Sequence, residues 1–213
     1  MKKLAFFILL SLVTLGVSAQ SNLKWNVNAG IGMSNWYGDD TDGTDAKFAY
    51  KVGIGLEVPF ANTNIWSFQT GLNFISKGVK GDGVTDAWDV VDVTINQLYL
   101  ELPINVQFRF NIANNTNLVV ATGPYLACGV GGKAKFDGKA SIGNVGINAD
   151  EKIDTFGDDG LDYNRFDAGW NIGLGVEFGK ILVGLDTQLG FCKVMDGDAP
   201  HNANIGITLG YKF

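Results

Sequence analysis

From residue 23 almost to the C-terminus, apolar side chains fall on every second residue. That is the period at which side chains along an extended strand point alternately to opposite faces. In residues 23–34, Trp25, Val27, Ala29, Ile31 and Met33 share one side, with Asn26, Asn28, Gly30 and Gly32 on the other. The same alternation marks residues 48–60, 65–77, 93–110, 117–130, 166–178, 181–193 and 203–213, which predicts eight strands. No window after the first twenty residues carries a helical period. The architecture this predicts is all-β, an eight-stranded antiparallel up-and-down transmembrane β-barrel.

The first nineteen residues read differently: two lysines, an apolar run from Leu4, then Val17, Ser18 and Ala19. This is the layout of a secretory signal peptide cut between Ala19 and Gln20, leaving residues 20–213 as one barrel domain. The mature chain then has 14 basic against 22 acidic side chains, a net charge of −8. With no basic footprint, nucleic acid is excluded as a partner. No later run of 18 apolar residues exists, so no helix is expected to span a membrane.

Connections alternate in length. Residues 61–64, 111–116 and 179–180 are short, whereas 35–47, 78–92, 131–165 and 194–202 are long, the pattern of an outer-membrane barrel. Seventeen of the 22 carboxylates fall in the long connections, which predicts acidic loops at the extracellular end. The apolar face has two possible destinations. A lipocalin-like barrel would turn it inward around a greasy ligand, and its other face would then meet water and be rich in Lys and Glu. That other face instead carries the strand glycines, including Gly30, Gly53, Gly71, Gly123, Gly173 and Gly206. Glycine relieves crowding on the concave side of a tightly curled sheet, so the apolar face is assigned to lipid. Trp25, Phe60, Trp66, Phe108, Phe110, Phe178, Tyr211 and Phe213 would form the interfacial girdle.

The stretches YLELPINVQFRF (99–110), GPYLACGVGGK (123–133), RFDAGWNIGLGVEF (165–178) and LGYKF (209–213) resemble the PorT-like, porin-family outer-membrane β-barrels of Bacteroidetes. The resemblance covers essentially the whole mature chain. It departs at Asn105, where the family commonly has an aliphatic residue, and at Ala168, where it often has an aromatic. It implies an outer-membrane location and insertion by the barrel-assembly machinery, with Tyr211 and Phe213 as the terminal assembly signal.

Candidate chemistry is sparse. His201 is the only histidine, read as an exposed loop residue with no serine or cysteine close in its loop. Cys128 and Cys192 fall on opposite faces with one strand between them. A separation of roughly 9–10 Å exceeds the reach of a disulfide, so two free thiols are expected. DDTDGTD (39–45) has the density of a calcium loop but lacks the EF-hand glutamate. GVGGK (129–133) lacks the Ser or Thr of a phosphate loop. No catalytic residue, metal site or cofactor is expected.

Nine charges carry lumen parity: Lys51, Lys77, Arg109 and Lys212 against Glu57, Glu101, Asp167, Glu177 and Asp186. Counting along each strand puts Glu57, Arg109, Glu177 and Lys212 at one depth near the periplasmic end, where they are expected to pair around Arg109. Pro103, lacking an N–H, should break its ladder. The leading expectation is a monomeric, non-enzymatic membrane anchor in outer-membrane lipid and lipopolysaccharide, with loops for extracellular interaction. The alternative is a narrow porin-like channel for small solutes or apolar molecules.

Overall fold

The computed structural model describes residues 23–39, 41–60, 65–85, 88–142, 145–157, 161 and 163–213. The cleavage pair Ala19–Gln20 lies outside them. Ten strands follow in order: β1 (Lys24–Tyr37), β2 (Thr44–Asp45), β3 (Lys47–Pro59), β4 (Trp66–Thr85), β5 (Trp88–Ala113), β6 (Thr116–Ile142), β7 (Val145–Asp154), β8 (Phe166–Phe178), β9 (Ile181–Lys193) and β10 (His201–Lys212). Eight of them form a closed antiparallel ring in the order β4-β3-β1-β10-β9-β8-β6-β5, with β5 pairing back onto β4. Chain neighbours are ring neighbours, and β1 meets β10 from Asn26–Lys212 to Tyr37–His201. A closed ring leaves no sheet edge in the spanning region, which lipid would leave unsatisfied.

Three of the connections expected to be loops are partly strand. β4, β5 and β6 run 20, 26 and 27 residues, so much of 78–92 and 131–165 continues the sheet. β7 lies alongside β6, and β2 adds Thr44 and Asp45 to β4. Several carboxylates assigned to loops, among them Asp92 and Asp154, therefore sit in strands. Of the short connections, 111–116 is tighter than expected, 179–180 is as expected, and 61–64 lies outside the described residues. The first turns at Asn114–Asn115, with Asn115 at φ 58°, and the second at Gly179–Lys180; the Gly179 N–H donates to the Asn115 carbonyl at 2.9 Å.

The apolar side chains face outward. Ile31, Phe48, Ile172, Leu185, Ile207 and Phe213 are each more than half exposed, and no water-soluble barrel presents such a belt. The lumen face is glycine where strands approach most closely. Gly32 faces Gly206 across β1 and β10, and a Cβ on Gly32 would stand 2.0 Å from the Ile205 carbonyl oxygen. Pro103 interrupts pairing with β4 alone; on the β6 side it keeps Tyr125 as its partner, and the gap there falls at Ile104–Asn105, opposite Gly123 and Pro124. Partners on β4 skip from Ile104 to Glu101, and those on β6 skip from Pro103 to Val106. The folded protein is expected to migrate faster than its boiled form on a detergent gel. Identical mobility, with solubility in detergent-free buffer, would contradict the lipid-facing belt.

The lumen as candidate functional site

Inward parity delivers the nine expected charges to three separate groups. Nearest the short turns, the Arg109 guanidinium (β5) donates to both oxygens of Glu57 (β3), at 2.8 and 2.9 Å, and through Nε to Glu177 (β8) at 3.2 Å. Lys212 (β10) lies 2.9 Å from Glu57 and also pairs with Glu177. Gln107 accepts from Arg109 at 3.3 Å, and Asn117 donates to Glu177 at 3.3 Å. Two acids and two bases from four strands therefore close this end with their charges balanced. The planar fork of Arg109 is what allows one cation to hold two carboxylates.

Midway along the barrel, Lys51 pairs with Asp186, which also accepts from the Thr208 hydroxyl at 2.7 Å. These groups border a cavity of about 130 Å³ lined by glycines and by Asn28, Asn73, Asn105, Asn171 and Gln188. Its wall is mostly apolar, with these amide side chains as the polar groups that an ordered water would bind.

Above the cavity, Lys77 is wholly buried. Its ammonium lies 2.8 Å from Asp167, 3.6 Å from Glu101 and 4.1 Å from the centroid of the Tyr125 ring. The Tyr125 hydroxyl donates to Asp167 at 3.1 Å, and Glu101 accepts from Gln188 at 2.8 Å and Asn73 at 3.3 Å.

Parity counting left out one buried cation. Lys47 opens β3 and is buried, donating to Ser76 and Asn96, both at 2.8 Å. Its partners are neutral, and among the described residues no carboxylate pairs with it. The missed signal was one residue long, because Lys47 continues the alternation that begins clearly at Phe48.

The long-loop end is closed by an apolar cap that no periodicity announced. After β7 the chain turns into the mouth. The Phe156 ring stands edge-on to Tyr99, centroids 5.5 Å apart, and would collide with any Cβ on Gly129. Tyr163 packs on Trp36 at 6.0 Å, among Val194, Ala199, Val79 and Ile95. Burial pushes the Tyr163 phenol up to about 12. Main-chain bonds fix it: Thr155 N–H to the Gly132 carbonyl at 3.2 Å and Asn164 N–H to the Val194 carbonyl at 2.8 Å. Gly132, at φ 146°, stands just beyond a bulge that leaves Val130 unpaired opposite β5. That bulge, within GVGGK, reverses the parity of β6.

The other candidates fall elsewhere. His201 is not a loop residue: it begins β10, is half-buried and stacks on Tyr37 with centroids 5.5 Å apart. Cys128 faces outward and Cys192 is half-buried, both as free thiols. Among the described residues, no three His, Cys, Asp or Glu side chains gather to hold a metal.

An antiparallel ring with an apolar exterior and a polar, ion-paired interior defines a membrane-spanning β-barrel. The chain belongs to the outer membrane protein β-barrel domain family, whose model matches residues 13–196. It is therefore a small outer-membrane β-barrel protein. No functionally curated protein is significantly similar in sequence. Among solved structures it is similar to Ail, the attachment invasion locus protein of Yersinia pestis. Identity there is 16%, the TM-score is 0.41, and the match covers 89% of this chain and 98% of that one. It is also similar to Neisserial surface protein A (10%, TM-score 0.40, 89% and 97%). The N-terminal barrel domain of Pseudomonas aeruginosa OprF follows at 12% and TM-score 0.31, covering 89% and 97%.

Proposed function

We propose that this protein is a non-enzymatic, non-conducting anchor: a barrel whose interior is sealed and whose acidic long-loop end is held outside the cell for interaction. The observation that carries this reading is closure at both ends of one lumen, by the Arg109 cluster below and by the Phe156–Tyr163 cap over Lys77 above. A solute path would have to break both. The pore alternative is supported only by the cavity between them.

The same reading places the barrel as a monomer in outer-membrane lipid and lipopolysaccharide, exported by its signal peptide. Tyr211 and Phe213 then serve as the signal read by the assembly machinery. The finer placement among PorT-like members of Bacteroidetes rests on the motif stretches alone. Impermeant thiol labelling of intact cells tests the orientation. In a Cys128→Ser/Cys192→Ser background, Asp42→Cys should label at the long-loop end and Asn114→Cys should not. Labelling at Asn114→Cys alone would reverse the barrel and remove the proposed role.

A further inference from the structure

Charge does not cancel along the whole lumen. In the Arg109 cluster two acids meet two bases, and Lys51 pairs with Asp186. Above them Lys77 alone serves two acids, Asp167 and Glu101. Its ammonium donates to Asp167 at 2.8 Å but stands 3.6 Å from Glu101 Oε2, too far for a hydrogen bond. Lys47 gives its ammonium to Ser76, Asn96 and the Lys77 carbonyl, so it does not relieve this site. Among the described residues one negative charge is left over. It falls on Glu101, which is wholly buried. A buried charge without a counter-charge is costly enough that it becomes paired or neutralised.

The side chains around Glu101 are short of donors as well. Gln188 and Asn73 donate to Glu101 Oε1 at 2.8 and 3.3 Å. Asn28 donates to Asn73 at 3.5 Å, and Asn171 donates to Asn105 at 3.4 Å. Each of these amide nitrogens is engaged. Glu101 Oε2, Gln188 Oε1, Asn171 Oδ1 and Asn28 Oδ1 are buried without a hydrogen-bond partner. The four residues are in succession. Asn171 is the cross-strand partner of Gln188, and Gln188 reaches Glu101 from another wall of the barrel. Asn73 sits opposite Glu101 in register, and Asn28 meets it across Gly53. Glycine is required there, because a Cβ on Gly53 would stand 2.0 Å from Asn73 Oδ1. All four residues line the cavity. Buried polar atoms are nearly always satisfied, and oxygen-only sites suit hard cations. A single positive charge would supply both the missing partner and the missing balance.

We infer that Glu101, Gln188, Asn171 and Asn28 form a binding site for one monovalent metal cation of the sodium or potassium class. The site lies beneath the apolar cap, so the ion is taken up on folding and held as part of the interior; only this last clause rests on the sealed lumen. The test refolds the wild-type barrel and Glu101→Gln in detergent with sodium, potassium and calcium chlorides together. Both are passed into choline chloride, and retained metal is counted by elemental mass spectrometry. The difference between the two proteins is the readout, which removes ions held by the acidic loops. Wild type should hold about one more sodium or potassium than Glu101→Gln. Urea midpoints at equal ionic strength give an equilibrium reading that needs no seal. The wild-type midpoint should be higher in sodium or potassium than in choline, and the Glu101→Gln midpoint should be the same in all three.

Should Glu101→Gln not fold, Asn171→Ala, which leaves every charge in place, should lower the retained alkali metal at least fivefold. A difference in calcium alone would overturn the monovalent assignment. No metal difference, with a wild-type midpoint indifferent to the cation, would overturn the site and leave a proton on Glu101 or water in the cavity. Metal lost on transfer, with a midpoint that still depends on sodium or potassium and on Glu101, would uphold the site and count against the seal instead.

Discussion

Replacing Lys77 with methionine should cost the folded barrel about 3–5 kcal/mol, the usual penalty for stranding the partner of a buried ion pair. Methionine preserves most of the stem, so packing changes little and the loss is electrostatic. Lys77 is completely buried, and its removal leaves Asp167 and Glu101 at one site with no other cation in ion-pair distance among the described residues. Tyr125 and Tyr99 would lose the ammonium above their rings as well. Adding Asp167→Asn should recover part of the loss, because one of the two stranded charges is then gone. A urea titration of the refolded barrel in lipid vesicles reads both effects. A loss below about 1 kcal/mol in the single variant, with no recovery in the double, would mean that the site is hydrated and the seal absent.

Arg109→Ala should be nearly as costly, again about 3–5 kcal/mol, because it removes both bonds to Glu57 and the contact with Glu177 while Lys212 alone stays to balance two carboxylates. Arg109→Lys should recover some of this but not all, since an ammonium cannot reproduce the two parallel bonds that the guanidinium makes. Neither variant is expected to conduct: the cap over Lys77 still closes the opposite end. An Arg109→Ala barrel as stable as wild type in the same titration would show that the cluster contributes nothing to the fold.

The lower cluster was legible from sequence because it needs only two counts, parity and depth along regular strands. Glu57, Arg109, Glu177 and Lys212 all lie in stretches where alternation is unbroken, and the structure joins them. Legibility ended where a physical irregularity ended the count. The bulge at Val130 reverses the faces of β6, so Lys133 and Lys135 point outward where simple alternation would turn them inward. The upper sheet alternates small and charged residues rather than apolar and polar ones, which hid the strands beyond residue 78 and before residue 93. Phe156 and Tyr163 had no periodic context at all. Their one sequence signal was bulky aromatics within an acidic, glycine-rich segment, and only the folding of that segment into the mouth gives them a role. His201 read as exposed because β10 begins two residues earlier than its apolar alternation.

Planar-bilayer recording of the refolded wild-type protein tests most directly whether the lumen is sealed at both ends. The sealed barrel should insert without producing resolved current steps at physiological salt, with lipid insertion verified by heat-modifiable protein recovered from the same membranes. Large, stable, voltage-sustained current steps from that protein would contradict the seal and establish an open pore.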